Sequence, residues 1–190
     1  MEPRNVDYFR LRAEANWLEA KWYVLFVRSN QEKRVTLHLK EKAIEYFLPV
    51  YESVRQRSDR KVKLLCPLFP GYVFVHMSFV DRLKALLIPN VIDFVGTKSA
   101  PSPVSDEEVE WMMRGTESGK AQPHPYSLNA GSRVRVTAGP MAGLEGCLIR
   151  LQNSSRVLIA LDSISRAFVV ELENHLLELA LPREAFQRAS

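Results

Sequence analysis

The residues able to do chemistry stand in patterns that favour binding over catalysis. Histidine occurs at His38, His76, His124 and His175, and none has the His-Glu-x-x-His spacing that puts two imidazoles on one metal. No Gly-x-Ser-x-Gly elbow exposes a nucleophile. Gly139-Pro140-Met141-Ala142-Gly143 is glycine-rich but lacks the Lys-Ser/Thr of a phosphate loop, so a turn between strands explains it better. Cys66 and Cys147 are far apart and belong to no Cys-x-x-Cys pair. That argues against a disulfide scaffold or zinc site and for reduced thiols in the cytoplasm. No spacing selects a pair of carboxylates. No catalytic residue, metal or cofactor is assigned, and no enzyme is expected.

Basic and aromatic side chains are better organised. From Lys21 to Cys66 there are eleven Lys/Arg against five Asp/Glu, a local net of +6 in a chain whose total is +4. From Pro101 to Lys120 the balance is two against five, and the middle of the chain is acidic. Arg55, Arg57, Arg60, Lys61 and Lys63 make one basic group, suited either to solvent or to phosphate contact. Gln31, Arg34, His38 and Lys42 recur at spacings of three or four. On a helix they share a face that is either solvated or a hydrogen-bonding ridge. The aromatic group centres on Leu68-Phe69-Pro70-Gly71-Tyr72-Val73-Phe74-Val75, denser in aromatics than a small core needs.

These groups need elements to hold them. Trp22–Val27 is an apolar, β-favouring run and reads as a buried strand. Ser29 or Asn30 can cap a helix to about Lys42, with Val35, Leu39 and Ala43 as its core stripe. Tyr46–Val50 leads into a hairpin with arms near Tyr51–Gln56 and Lys61–Cys66, and the basic group forms its tip. Pro70-Gly71 is a turn, after which Tyr72–Met77 is a strand. Strand alternation puts Val73 and Val75 on the core face and leaves Tyr72 and Phe74 with exposed area, bordered by Phe69 and Phe26. A short helix near Asp81–Leu87 and a strand at Val91–Gly96 follow. Ser105-Asp106-Glu107-Glu108 is a capping box for a helix that ends at Gly115.

The pattern gives an α+β fold, an antiparallel sheet with packed helices, followed by short strands and tight turns that suggest a small β-barrel. The expected boundaries are an N-terminal extension over 1–20, a first domain over 21–114, a linker over 115–129, a barrel over 130–182 and a tail over 183–190. Tyr8, Leu11, Ala15 and Leu18 in the extension fit an amphipathic helix. No apolar run approaches the roughly 18 residues of a membrane span. A monomer without a membrane partner is expected.

Trp22-Tyr23-Val24, the Leu68–Val75 run, Phe94-Val95-Gly96 and Pro103-Val104-Ser105-Asp106-Glu107-Glu108 resemble the N-terminal (NGN) domain of NusG-type transcription elongation factors. The stretch from Gly131 through Val134, Val136, Gly139, Pro140, Met141 and Gly143 to Gly146 resembles that family's KOW motif, carried on an SH3-like barrel. The resemblance covers about residues 21–180. It implies binding to the clamp helices of RNA polymerase through an aromatic pocket, here Phe26, Phe69, Tyr72 and Phe74, and promotion of processive elongation or antitermination.

The hairpin insert and the small size resemble the specialised RfaH, UpxY or LoaP branch, which acts on selected operons. That branch implies non-template DNA contact by Arg28, Arg34 and His38, to which Arg55, Arg57, Arg60 and Lys61 of the hairpin would add. Asp81-Arg82-Leu83-Lys84 stands where RfaH has a Thr-rich element and shares no such Thr. On the KOW module the partner-binding positions correspond to Met141, Ile164 and Arg166, with Met and Ile where the family has aromatics. A ribosomal small-subunit protein and Rho are that surface's partners in general NusG. Two alternatives stay open: a KOW-bearing RNA- or ribosome-binding protein, and general NusG itself. Gly139-Pro140 and the β-rich segments after it predict a barrel rather than a helical hairpin, with helical propensity left at Leu172–Leu179.

Overall fold

The Trp-Tyr-Val-Leu-Phe-Val run is the centre of a sheet. The computed structural model describes residues 17–56, 60–97, 100–124, 133–139, 141–150, 155–161, 166–172 and 177–179. These fall into two compact units, Met1–Pro49 with Phe69–Val109 and Val50–Leu68 with Glu110–Ser190. Among the described residues no helix is long and apolar enough to cross a membrane.

In the first unit, strand β1 (Ala20–Val27) pairs antiparallel with β5 (Tyr72–Ser78) and β6 (Val91–Phe94), and β2 (Glu45–Phe47) pairs with β5. The sheet order is β2-β5-β1-β6. Alternation sends Tyr23, Leu25 and Val27 to one face with Val73, Val75 and Met77. Helix α1 (Glu32–Glu41) adds Val35 and Leu39 to that core, and Ala85 enters it from the short helix α2 (Arg82–Leu86). Two adjacent turns, Phe79–Asp81 and Ile88–Asn90, complete the layer with Phe79 and Ile88.

The ends of α1 differ from the sequence expectation. Neither Ser29 nor Asn30 caps it; Gln31 is the N-cap, without a side-chain capping bond. Asn30 instead takes the left-handed φ of +64°, which asparagine tolerates, and turns the chain after β1. At the other end Ala43 lies outside the helix, exposed, with φ +54°. Ile44 takes the core place expected of Ala43, its N–H donating to the Leu39 carbonyl at 3.0 Å. The helix stops at Glu41, so a strict four-residue spacing no longer predicts which side chain points inward.

Helix α3 (Asp106–Glu117) begins with the expected capping box. The Ser105 N–H and hydroxyl both donate to Glu108 Oε2, at 3.1 and 2.9 Å, and the Glu108 N–H donates to Ser105 Oγ at 3.3 Å. Its end departs from expectation, because Gly115 is not a terminator but a buried position inside the helix. A Cβ there would lie 3.5 Å from Ala121 and 3.6 Å from both Phe168 and Val170. The expected linker is thus partly ordered: α3 runs to Glu117, and β9 (Ala121–His124) pairs with β13 (Arg166–Leu172). Pro123 is compatible with β9 because β9 is an edge strand of its sheet. Residues 125–129 of that expectation, and the tail, lie outside the described residues.

The second unit holds a six-stranded antiparallel sheet of order β14-β10-β11-β12-β13-β9, with β10 Arg133–Val136, β11 Glu145–Arg150, β12 Ser155–Leu161 and β14 Leu177–Leu179. It is strand-rich as expected of a KOW module, and Leu177–Leu179 is strand. Val157, Leu158 and Ile159 are all buried, as are Ala167, Phe168, Val169 and Val170, so β12 and β13 are covered on both faces. Their continuous apolar runs are what such a position requires. Gly146 pairs with Val134 of β10, and a Cβ on it would collide with the Leu158 carbonyl oxygen of β12 and lie 2.6 Å from Val157 Cγ1. The hairpin β3 (Val50–Gln56) and β4 (Lys61–Pro67) is a two-stranded sheet of its own. Among the described residues it has no ladder to the four-stranded sheet.

Candidate functional site

The aromatic group is built on the face of β1 and β5 that points away from α1. Register pairs Phe26 with Tyr72, Val24 with Phe74 and Trp22 with His76, so all six side chains share that face. Phe26 is 40% exposed and its ring centroid lies 5.7 Å from that of half-buried Tyr72. An exposed aromatic pair of this kind offers a rigid apolar contact with a polar hydroxyl beside it. At the other end of the face, the His76 ring lies 5.1 Å from Trp22, and His76 Nδ1 is 2.8 Å from Glu45 Oε2.

Between these ends the expectation is corrected. Phe74 was expected to keep exposed area but has none, and Phe69 is only 2% exposed. Alternation placed Phe74 on the correct face, yet that face is itself covered at this point. The Phe74 ring packs against Phe47 at 6.1 Å and Phe69 at 6.4 Å. Phe74 and Phe69 are thus enclosed, and Phe26 and Tyr72 are the aromatics of the group that keep exposed area.

The turn that delivers Tyr72 has clear causes. Tyr72 N–H donates to the Phe69 carbonyl at 3.2 Å, and Gly71 adopts φ +85°. Proline followed by glycine at positive φ is the sequence of a type II turn. Sequence reasoning missed the group that holds this turn from outside. Glu32, 2% exposed in the first turn of α1, accepts the Gly71 N–H on Oε1 at 2.7 Å. Its signal was modest: a carboxylate at a helix start, which the helix dipole favours anyway.

The cationic positions divide into two sets. Arg28 follows β1 and is exposed; its backbone N–H donates to the Asn90 carbonyl at 2.9 Å. Arg34 and His38 are four apart on α1 and share a face, as expected. Each has a neighbour on the helix: Arg34 donates to Gln31 Oε1 at 3.5 Å, and His38 Nδ1 lies 3.1 Å from Glu41 Oε2. On the hairpin, Arg60 and Lys61 are exposed at the start of β4, while Lys63 is paired with Glu52 at 2.7 Å. Arg55 lies in β3 opposite Val62. Arg57 lies outside the described residues.

On the barrel, Met141 is corrected. It is 2% exposed and belongs to the core, so it is not a surface contact. A flexible thioether can fill an interior gap, which accounts for the burial of a side chain expected to replace an exposed aromatic. Arg166 is exposed at the start of β13, and Ile164 lies outside the described residues. Among the described residues no three His, Cys, Asp or Glu side chains gather as a metal would require.

Comparison with known proteins places this geometry. A family model described as transcription termination factor nusG matches residues 20–113. The transcription termination/antitermination protein NusG of Vibrio vulnificus is 33% identical, over 80% of this chain and 92% of its own length. The chain belongs to the NusG family. The NusG protein of Escherichia coli K12 is 32% identical with the same coverage. A solved structure titled for domain interaction in Thermotoga maritima NusG superposes with a TM-score of 0.57 at 22% identity, covering 86% of this chain and 98% of that one. That likeness bears on the fold, and it agrees with an NGN sheet followed by a KOW module. The NusG family match covers both β1 and β5, and so the Phe26–Tyr72 pair.

Proposed function

We propose that the chain is a transcription elongation and antitermination factor that binds the RNA polymerase clamp helices through Phe26 and Tyr72. The observation that carries this is the exposed Phe26–Tyr72 pair on a sheet face of a NusG-family chain. An aromatic patch that loses its remaining water on contact gives more binding energy than the polar surface around it. Beside the pair, Phe74 is packed against Phe69 and Phe47. Holding the polymerase clamp in its elongating position disfavours pausing.

Arg28 and the Arg34–His38 face supply contacts to the displaced non-template strand, cations to phosphate and imidazole to an unpaired base. Arg60 and Lys61 on the hairpin add salt-dependent affinity. The chain acts in this way on selected operons, a reading supported by the β3–β4 hairpin, a two-stranded sheet of its own. A second reading is the general factor, favoured by coverage of 92% of a NusG relative. Single-round transcription with the cognate polymerase separates the parts. Added chain is expected to raise readthrough of pause sites at least threefold on the order of its Kd, with Tyr72→Ala inactive. Equal stimulation of every template would favour the general factor, and no stimulation of any template would defeat both readings.

A further inference from the structure

We infer that Glu32 is a positioning residue, which fixes the Pro70–Gly71 turn from outside and thereby sets the Tyr72 ring against Phe26. This rests on the proposal that the aromatic pair is the polymerase contact. The geometry is compact. Gly71 is buried, and its backbone is held on two sides: its N–H by Glu32 Oε1 at 2.7 Å, and its carbonyl by the Val27 N–H at 2.8 Å. Val27 follows Phe26, and Tyr72 follows Gly71, so each bond lies one residue from a ring of the pair. A Cβ on Gly71 would stand 3.6 Å from the Phe26 ring and 3.4 Å from the Val27 carbonyl oxygen. The turn therefore lies beside the ring, with room for a Cβ at ordinary contact distance between them.

The choice of a carboxylate needs a reason, because burying one costs free energy unless it is hydrogen-bonded. The amide at the third position of a type II turn points away from the turn's own hydrogen bond. Here it points into the protein, where no ladder strand accepts it, and an acceptor must come from elsewhere. Glu32 supplies one from 39 residues away in sequence. An ionised acceptor makes a shorter and stronger bond than a neutral one. The start of α1 offsets part of the cost of its charge. An apolar residue at this position would fill the space and leave the Gly71 amide buried without a partner.

The test uses the isotope-labelled full chain with Glu32→Ala and Glu32→Gln, and three readouts: Gly71 amide exchange, ring-to-ring NOEs between Phe26 and Tyr72, and affinity for core RNA polymerase. In Glu32→Ala the Gly71 amide is expected to exchange at least about tenfold faster, the NOEs to vanish and polymerase affinity to fall about tenfold. Glu32→Gln keeps an acceptor oxygen and is expected to retain the NOEs and to bind within about threefold of wild type. If Glu32→Ala leaves NOEs and affinity unchanged, or if Glu32→Gln is as damaged as Glu32→Ala, the inference is overturned. Should Glu32→Ala not fold, Glu32→Asp, whose side chain is one methylene too short to reach the Gly71 amide, takes its place. Faster Gly71 exchange with weakened NOEs supports the role, and NOEs unchanged despite faster exchange overturn it. NOEs lost with polymerase affinity intact would uphold Glu32 as the positioning group and remove the polymerase from the Phe26–Tyr72 surface.

Discussion

Phe26 and Phe74 show how two aromatics on one sheet face take different roles. Phe74 is fully enclosed, and Phe74→Ala is expected to cost about 3–5 kcal/mol of stability in urea unfolding. Phe26→Ala removes a partly exposed ring and is expected to cost about 1 kcal/mol or less, leaving a folded chain for binding studies. Strand alternation made the shared face legible in the sequence. Exposure was not legible, because it depends on Phe47 and Phe69, which come from other strands and turns. Met141 was misjudged for the same reason. Glu32 was missed because its partner is 39 residues away.

Tyr23 adds a prediction about pH. Burial, the largest influence, pushes its phenol above the ordinary value; Lys21 opposes the shift and Glu19 adds to it. The folded chain therefore keeps this proton at a pH where the unfolded chain releases it. The stability it contributes is fully present below the ordinary pKa of about 10 and is lost as pH rises through the higher folded value. Urea midpoints measured across the alkaline range should fall less steeply for Tyr23→Phe than for wild type. Parallel curves would contradict the assignment.

Among elements, the strands and the capping box were the most legible, since each is written in a local pattern: alternation, β-branched runs, and Ser with Glu three places on. Helix ends were less so. Gly115 looked like a stop signal but stands inside α3, where its small size suits the approach of Ala121, Phe168 and Val170. Its Cβ would meet them at ordinary van der Waals distance, so Gly115→Ala is expected to be neutral or to stabilise by up to about 1 kcal/mol. Gly146 is the opposite case. A Cβ there meets backbone, and Gly146→Ala is expected to destabilise by about 1–3 kcal/mol. Thermal melts of the two variants should move in different directions or by clearly different amounts.

For the whole molecule, the order of an antiparallel sheet with helices and then a strand-rich module was legible, and with it the family. One feature was not: residues 121–124 are a strand because β13 offers an edge to pair with. That pairing joins segments far apart in sequence, and composition carries no trace of it. Polar, glycine- and proline-containing segments read as linkers until their partners are known.

The function assigned to the molecule turns on one contact. The most direct measurement is the affinity of purified core RNA polymerase for the full chain and for Tyr72→Ala, with circular dichroism establishing that the variant is folded. Loss of at least about tenfold in affinity, more than 1.4 kcal/mol, is the predicted result for a central aromatic anchor. Equal affinity of a folded Tyr72→Ala and wild type would contradict the claim that the Phe26–Tyr72 face is where this chain meets the polymerase.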